Sequence, residues 1–260
     1  MIFFHQIFLT FDTRGLDYPP LSAFHMQSCG YIAQMINPHW VALNVSRGIE
    51  SPEHQIFMRS TVIMSDLIVL VPAAFFVKKH LGSFAMISLL FNPCLILVDH
   101  GHFQYNGVSL GLAILAAFSV TANSLMTRGL GCMYFTAALF YKQMALYHAF
   151  PFFFILLGQA WKKQEWPNFI REVAIYGFVV LGTSLFYLTP FIKTDNPFAQ
   201  LSQIAHRLFP FARGLFEDKV ASFWCSLHSI IKLKNILSPE LQLKVATGTT
   251  FITGLVNFFY

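Results

Sequence analysis

The densest set of chemically capable side chains in this sequence is Asp99-His100-Gly101-His102-Phe103-Gln104-Tyr105-Asn106. One carboxylate, two imidazoles and two carboxamides crowded into this stretch can bind hydroxyl groups. The plain alternative is a hydrated turn, because connections between helices favour polar residues whatever their task. A second polar stretch, Lys142-Gln143-Met144-Ala145-Leu146-Tyr147-His148, ends in a cation and an imidazole. A third region holds Arg207, Arg213 and Lys219. Arginine matches a phosphate bidentately, so an anionic ligand at a membrane surface would account for these charges. The alternative there is a self-neutralised loop, since Glu217 and Asp218 are adjacent.

These stretches interrupt a very apolar chain. Of 260 residues, 55% are hydrophobic, 17% aromatic and only 11% charged, against about a quarter charged in soluble proteins. Mean hydropathy is +0.56. An all-α polytopic membrane protein is implied. The net charge of +5 does not indicate nucleic acid, because the basic residues stand in ones and twos between apolar runs and read as membrane-flanking charges. Cys29, Cys94, Cys132 and Cys225 fall singly, with no C-x-x-C spacing, as buried thiols do.

The stretch 99–106 lies between uncharged runs at 81–98 and 107–127, each about long enough to cross a bilayer. Before them, residues 1–9 are apolar but too short to span, and Gly15-Leu16-Asp17-Tyr18-Pro19-Pro20 is a rigid non-helical segment. Residues 21–36 mix apolar and polar side chains as an interfacial helix does. Asn44-Val45-Ser46 is the one glycosylation sequon. Residues 57–77 form a helix of spanning length carrying Arg59 and Asp66, which at a separation of seven share a face. Asp66 suits a structural ion pair or a functional contact.

Charge orders the remaining spans. Lys78-Lys79-His80, Arg128, Lys162-Lys163 and Lys232 with Lys234 all belong in the cytosol by the positive-inside rule. Runs 129–141 and 149–161 are then two short helices in a thinned or partly re-entrant passage, with 142–148 on the far side. Runs 173–192, 220–231 and 245–260 follow, for about eight spanning or partly spanning helices. By this parity the Asp17 segment and the stretches 99–106, 142–148 and 206–219 share one non-cytosolic surface. Several chemistries are set aside at this stage: there is no Walker loop, G-x-G-x-x-G, H-E-x-x-H or Asp-x-Asp pair, and no ligand cluster completes a metal site around His100 and His102. A transporter would place its polar groups near mid-span, where only Asp66 lies.

Five motifs carry a resemblance. They are Gly-Leu-Asp-Tyr-Pro-Pro-Leu (15–21), Met-Arg-Ser-Thr-Val-Ile-Met-Ser-Asp (58–66), the 99–106 stretch, Tyr-Lys-Gln-Met-Ala-Leu-Tyr-His (141–148) and Arg-Leu-Phe-Pro-Phe-Ala-Arg-Gly-Leu-Phe-Glu-Asp-Lys-Val-Ala (207–221). Together, over about residues 15–237, the chain resembles the dolichyl-phosphate-glucose-dependent α-1,3-glucosyltransferases of the endoplasmic reticulum. Its His-Gly-His, Lys-Gln-Met and Gly-Leu-Phe-Glu-Asp-Lys segments resemble the enzyme that adds the first glucose.

The resemblance implies a GT-C-type, multi-pass, metal-independent and cofactor-free inverting transferase of the endoplasmic reticulum membrane, its site facing the lumen. Glucose would pass from dolichyl phosphate glucose to the terminal mannose of the dolichyl-pyrophosphate-linked nine-mannose oligosaccharide, for asparagine-linked glycosylation. It implies a non-matching segment at 1–14, a luminal and interfacial segment at 15–56, and a multi-pass region at 57–260 with luminal loops near 99–106, 142–148 and 193–219. An inverting transfer needs a carboxylate base and cations for the departing phosphate. Arg207, Arg213 and Lys219 are the phosphate candidates. His100, His102, Gln104, Asn106, Lys142 and His148 are the candidates for sugar or lipid phosphate. The family's Asp-Phe-Glu-Ala-Gln-Arg-His-Trp base segment is absent, leaving Asp17 as the nearest luminal carboxylate, and the chain reads as an incomplete copy. A noncatalytic membrane protein that binds polyprenyl phosphate or a partner is the alternative.

Overall fold

Proline and capping side chains start several of the helices. The computed structural model describes residues 18–42, 46, 48–162, 165–194, 196–208 and 223–256, without the side chains of Arg207 and Lys234. Asp17, Asn44, Arg213 and Lys219 lie outside the described residues. Helix α1 (Pro20–Ile36) begins on a proline in its first turn, where the missing N–H costs no hydrogen bond. It covers the run 21–36 that was expected to be helical. Helix α2 (Pro52–Leu81) is started by Pro52 and by the Ser51 hydroxyl, which accepts from the His54 N–H at 3.3 Å.

Within α2 the ladder widens. Residues Asp66–Leu70 form a π-type turn, with the Val71 N–H reaching back to the Asp66 carbonyl. Pro72 follows directly and has no N–H to give the carbonyl four residues earlier, so the local loosening has a covalent cause. Helix α3 (Ser83–Gly101) is interrupted at Phe91 and Asn92, where the Asn92 side chain accepts from the Cys94 N–H at 2.9 Å. It too ends in a π-type turn, Ile96–Gly101. Both wide turns lie against the polar stretch.

Helix α4 (Asn106–Val120) packs on α2 and pairs closely with α5 (Leu125–Tyr141). A 3₁₀ turn, Gln143–His148, runs into α6 (Ala149–Trp161), and α7 (Trp166–Ile192) runs for 27 residues. Helices α8 (Pro197–Leu208), α9 (Phe223–Ile230), α10 (Leu233–Ile236) and α11 (Pro239–Val256) complete the described chain. There is no strand among the described residues.

Among the described residues four helices are long and apolar enough to cross a membrane: Pro52–Leu81, Ser83–Gly101, Gln143–Trp161 and Trp166–Ile192. Asn106–Val120 is apolar but shorter. The expected run 107–127 therefore ends sooner, because a turn at 121–124 divides it from α5. The expected short run 149–161 becomes 19 residues once the 3₁₀ turn is joined to it, so length alone calls for no thinned passage there. Large side chains left exposed on α7, among them Phe178, Leu181 and Phe186, form a face suited to lipid.

The interior is divided among small clusters. Phe191, Ile204 and Leu208 pack with Phe24 and Leu201, tying α8 to α1 and α7. Cys132, Ala160 and Tyr176 join α5, α6 and α7. Beside the second cluster lies the main correction to the charge-based reading. Arg128 is not a solvated flank but 2% exposed, paired with the fully buried Glu172 at 2.7 Å.

Candidate functional site

The site is built around Asp99, a carboxylate with no exposed surface. A buried charge is tolerated only when hydrogen-bonded, and here both oxygens are served. The Asn106 carboxamide donates to Oδ1 at 2.6 Å and the Gly107 backbone N–H donates to Oδ2 at 2.7 Å. Both donors belong to the first turn of α4, whose dipole favours a negative partner. Asp99 thus fixes the start of α4 and the orientation of Asn106 at once.

Asn106 passes this order outward. Its amide nitrogen also donates to Gln104 Oε1 at 3.1 Å, and its oxygen accepts from Lys142 Nζ at the end of α5. Burial pulls the Lys142 ammonium below its ordinary range, while the Asp99 charge pushes the other way. The result is a cation held among helix ends and tied by an amide to a sealed carboxylate.

Asp66 forms the neighbouring wall. The π-type turn brings its carboxylate to His100, which donates from Nε2 to Oδ2 at 2.8 Å. A Cβ at Gly107 would sit 2.1 Å from Asp66 Oδ1, so only glycine lets α4 approach this carboxylate so closely. Gly111, one turn on, lies in the same way against Val69 and the Leu70 backbone. Arg59 stands over the Phe103 ring, 5.6 Å from its centre. The separation of seven between Arg59 and Asp66 therefore does put both on the face that meets the 99–106 stretch.

A second set of hydrogen bonds docks α1 beside this group. Ser65 donates to the Thr61 carbonyl at 2.7 Å, so the His25 Nε2–H donates to Ser65 Oγ at 3.2 Å. His25 Nδ1 is then the acceptor for the Tyr141 hydroxyl at 2.7 Å. The Ser22 hydroxyl donates to the Tyr141 carbonyl at 2.9 Å. Thr61 donates to the Met58 carbonyl, which leaves its oxygen to accept from Tyr105 at 2.8 Å. Burial holds His25 below its ordinary pKa and Tyr105 above. Tyr141 and Tyr105 immediately precede Lys142 and Asn106, so α1 is coupled to the site through the backbone.

Of the residues singled out in the sequence, His100, Gln104, Asn106 and Lys142 are brought into one connected group. His102 and His148 are exposed and, among the described residues, hydrogen-bond to none of it. Arg207 lies in the last turn of α8, and its side chain is outside the description, as are Asp17, Arg213 and Lys219. Sequence reasoning did not find His25, Thr61, Ser65, Tyr105 and Tyr141. The one available signal was the spacing of Ser22 and His25, a helical turn apart on a helix otherwise read as interfacial.

The arrangement offers a cation, an imidazole–carboxylate pair and several amides and hydroxyls at the ends of apolar helices. Such a surface suits a hydroxyl-rich molecule that also carries an anion. Comparison with known proteins agrees in kind: residues 10–259 match the ALG6, ALG8 glycosyltransferase family. This chain belongs to that family.

Relatives named dolichyl pyrophosphate Man9GlcNAc2 alpha-1,3-glucosyltransferase include one from Gallus gallus, 45% identical over 251 residues, and one from Rattus norvegicus, 43% identical over 254 residues. A Saccharomyces cerevisiae protein of the same name is 39% identical over 260 residues. Each comparison covers 93% of this chain and 46–48% of the relative. The chain therefore spans about half the length of the curated relatives it matches.

Proposed function

We propose that this chain is the site-bearing portion of a dolichyl-phosphate-glucose-dependent α-1,3-glucosyltransferase of the endoplasmic reticulum membrane, acting on the dolichyl-pyrophosphate-linked nine-mannose oligosaccharide. The group at Asp99, Asn106 and Lys142 faces the lumen and receives the polar end of a lipid-linked substrate. Lys142 meets the phosphate of the glucose donor, and its charge steadies the departing lipid phosphate. His100, Gln104 and Asn106 orient sugar hydroxyls. Arg207, Arg213 and Lys219 supply further positive charge to the same phosphate, while Asp17 lies in the segment that borders the acceptor.

The single observation that carries this reading is the connection of Asn106 to both Asp99 and Lys142 in a chain related to enzymes of that name. Lys142 makes one side-chain hydrogen bond among the described residues, and an ammonium has three donors. Two remain for a substrate oxygen.

The test uses yeast microsomes deprived of the endogenous relative and supplied with the longest natural transcript containing this sequence. Labelled dolichyl phosphate glucose should yield a lipid-linked oligosaccharide one hexose heavier, read by chromatography after mild acid release. No hexose gain, with the protein present in the membrane, would defeat the proposal. An equal hexose gain in microsomes lacking dolichyl phosphate glucose would defeat its donor assignment.

A further inference from the structure

At the other end of α6, three aromatic rings form an arrangement that the polar site does not use. Trp161 closes α6, Trp166 opens α7 and Phe169 lies one turn further along. Ring centres are 5.2 Å apart for Trp161 and Trp166, 5.5 Å for Trp161 and Phe169, and 5.9 Å for Trp166 and Phe169. The interplanar angles are 85°, 89° and 87°, so the rings are mutually perpendicular. With Glu165 they line a cavity of about 250 Å³. That is just under the range of about 300–1,000 Å³ usual for small-molecule sites, a size for a headgroup rather than a whole ligand.

The chemistry of the walls selects the guest. Trp161 is 45% and Trp166 64% exposed, so neither ring is spent on the core. Aromatic faces attract cations within about 6 Å of a ring centre, and several faces around one cavity favour a quaternary ammonium, which has no N–H to satisfy. Glu165 adds the opposite charge, its Oε2 accepting from the Asn168 side chain and so held near the rings. Position narrows the source. The 19 residues of Gln143–Trp161 separate this cavity from Lys142 by roughly the thickness of a bilayer core, about 30 Å. The cavity therefore opens at the opposite membrane surface, beside Lys162 in the chain.

We propose that the cavity lined by Trp161, Glu165, Trp166 and Phe169 binds the trimethylammonium of a choline lipid headgroup. Interfacial tryptophans of the ordinary kind anchor a helix without choosing between headgroups. The cavity does choose, because its carboxylate and ring faces reward a cation that carries no hydrogen-bond donors.

The experiment places the 260-residue chain in phosphatidylglycerol vesicles containing a trace of spin-labelled phosphatidylcholine. Parallel vesicles contain spin-labelled phosphatidylethanolamine with the same acyl chains. Electron paramagnetic resonance reads the motionally restricted fraction. The choline lipid should be retained about tenfold more strongly, equivalent to about 1.4 kcal/mol. Trp161→Ala with Trp166→Ala should reduce it to the ethanolamine level, Trp161→Phe with Trp166→Phe should keep most of the preference, and Glu165→Gln should weaken it severalfold. Equal retention of the two lipids by the unchanged chain would overturn the proposal without recourse to any variant. Full displacement by an equal concentration of free phosphocholine would overturn the lipid assignment.

Discussion

Two regions of this molecule carry charge among apolar helices, and they treat it differently. Around Arg128 each of the three guanidinium nitrogens is engaged. Its Nε donates to the Tyr176 hydroxyl at 2.6 Å, its Nη1 to the carbonyls of Ala122 and Asn123, and its Nη2 to Glu172. Tyr176 also donates to Glu172 at 3.1 Å, and both charged partners are buried. Around Lys142 the ammonium is half-buried and has one partner among the described residues. The first region is a strut and the second, as we propose, a receptor. What separates them is not charge or burial alone but hydrogen-bonding capacity left over after folding.

The largest effect that sharpens this contrast is expected at the strut. Arg128→Ala takes the guanidinium away from the buried Glu172 carboxylate, which should cost about 3–5 kcal/mol of stability, read as a lowered melting temperature in detergent. Replacing Arg128 and Glu172 together by leucine should recover much of that loss. If the single variant melts like the parent, the strut is not one.

At the receptor the pattern should invert. In the longest natural transcript, Lys142→Ala should lower glucose transfer by about a hundredfold while shifting the melting temperature little, since among the described residues folding loses only the side-chain hydrogen bond to Asn106. A large melting shift with proportionate loss of activity would make Lys142 another strut. Gly107→Ala tests how the two helices are held apart, because its new methyl would overlap Asp66 Oδ1. A cost of about 1–3 kcal/mol is expected from such overpacking, with disturbed His100 chemistry as a consequence.

The smallest effect concerns α1. Burial keeps His25 below its ordinary pKa of 6.5, so the folded chain binds a proton there less readily than the unfolded chain. At pH 8 both states are neutral and His25 contributes nothing to pH dependence. As pH falls through 6.5 the unfolded state gains a proton first, and stability should decline until the lowered folded-state pKa is passed. His25→Gln should flatten melting temperature between pH 7.5 and 5.5, and an unchanged slope would remove His25 from the coupling of α1 to the site.

Much of the receptor was legible in the chain because polar residues are rare in it, so 99–106 and 142–148 stood out. Contact between Asn106 and Lys142 brings together two of the four stretches that charge parity placed on one surface. The strut was not legible, since a lone arginine at the edge of an apolar run looks like a membrane flank until Glu172, 44 residues away, is placed beside it. Nor could the division of labour within 99–106 be read. Asp99 appears as exposed as its neighbours in the sequence, and only the first turn of α4 seals it. The π-type turn that delivers Asp66 depends on Pro72, a single residue inside a pattern otherwise indistinguishable from ordinary helix.

Among the described residues, the hydrogen-bonded group from Ser22 to Lys142 draws on none beyond position 142. Its parts are therefore all available while the remainder of the polypeptide is still leaving the ribosome, and amino-terminal portions generally fold first. Biosynthesis can set this corner in place early, and the later helices then assemble around a nucleus that is already polar, ordered and anchored.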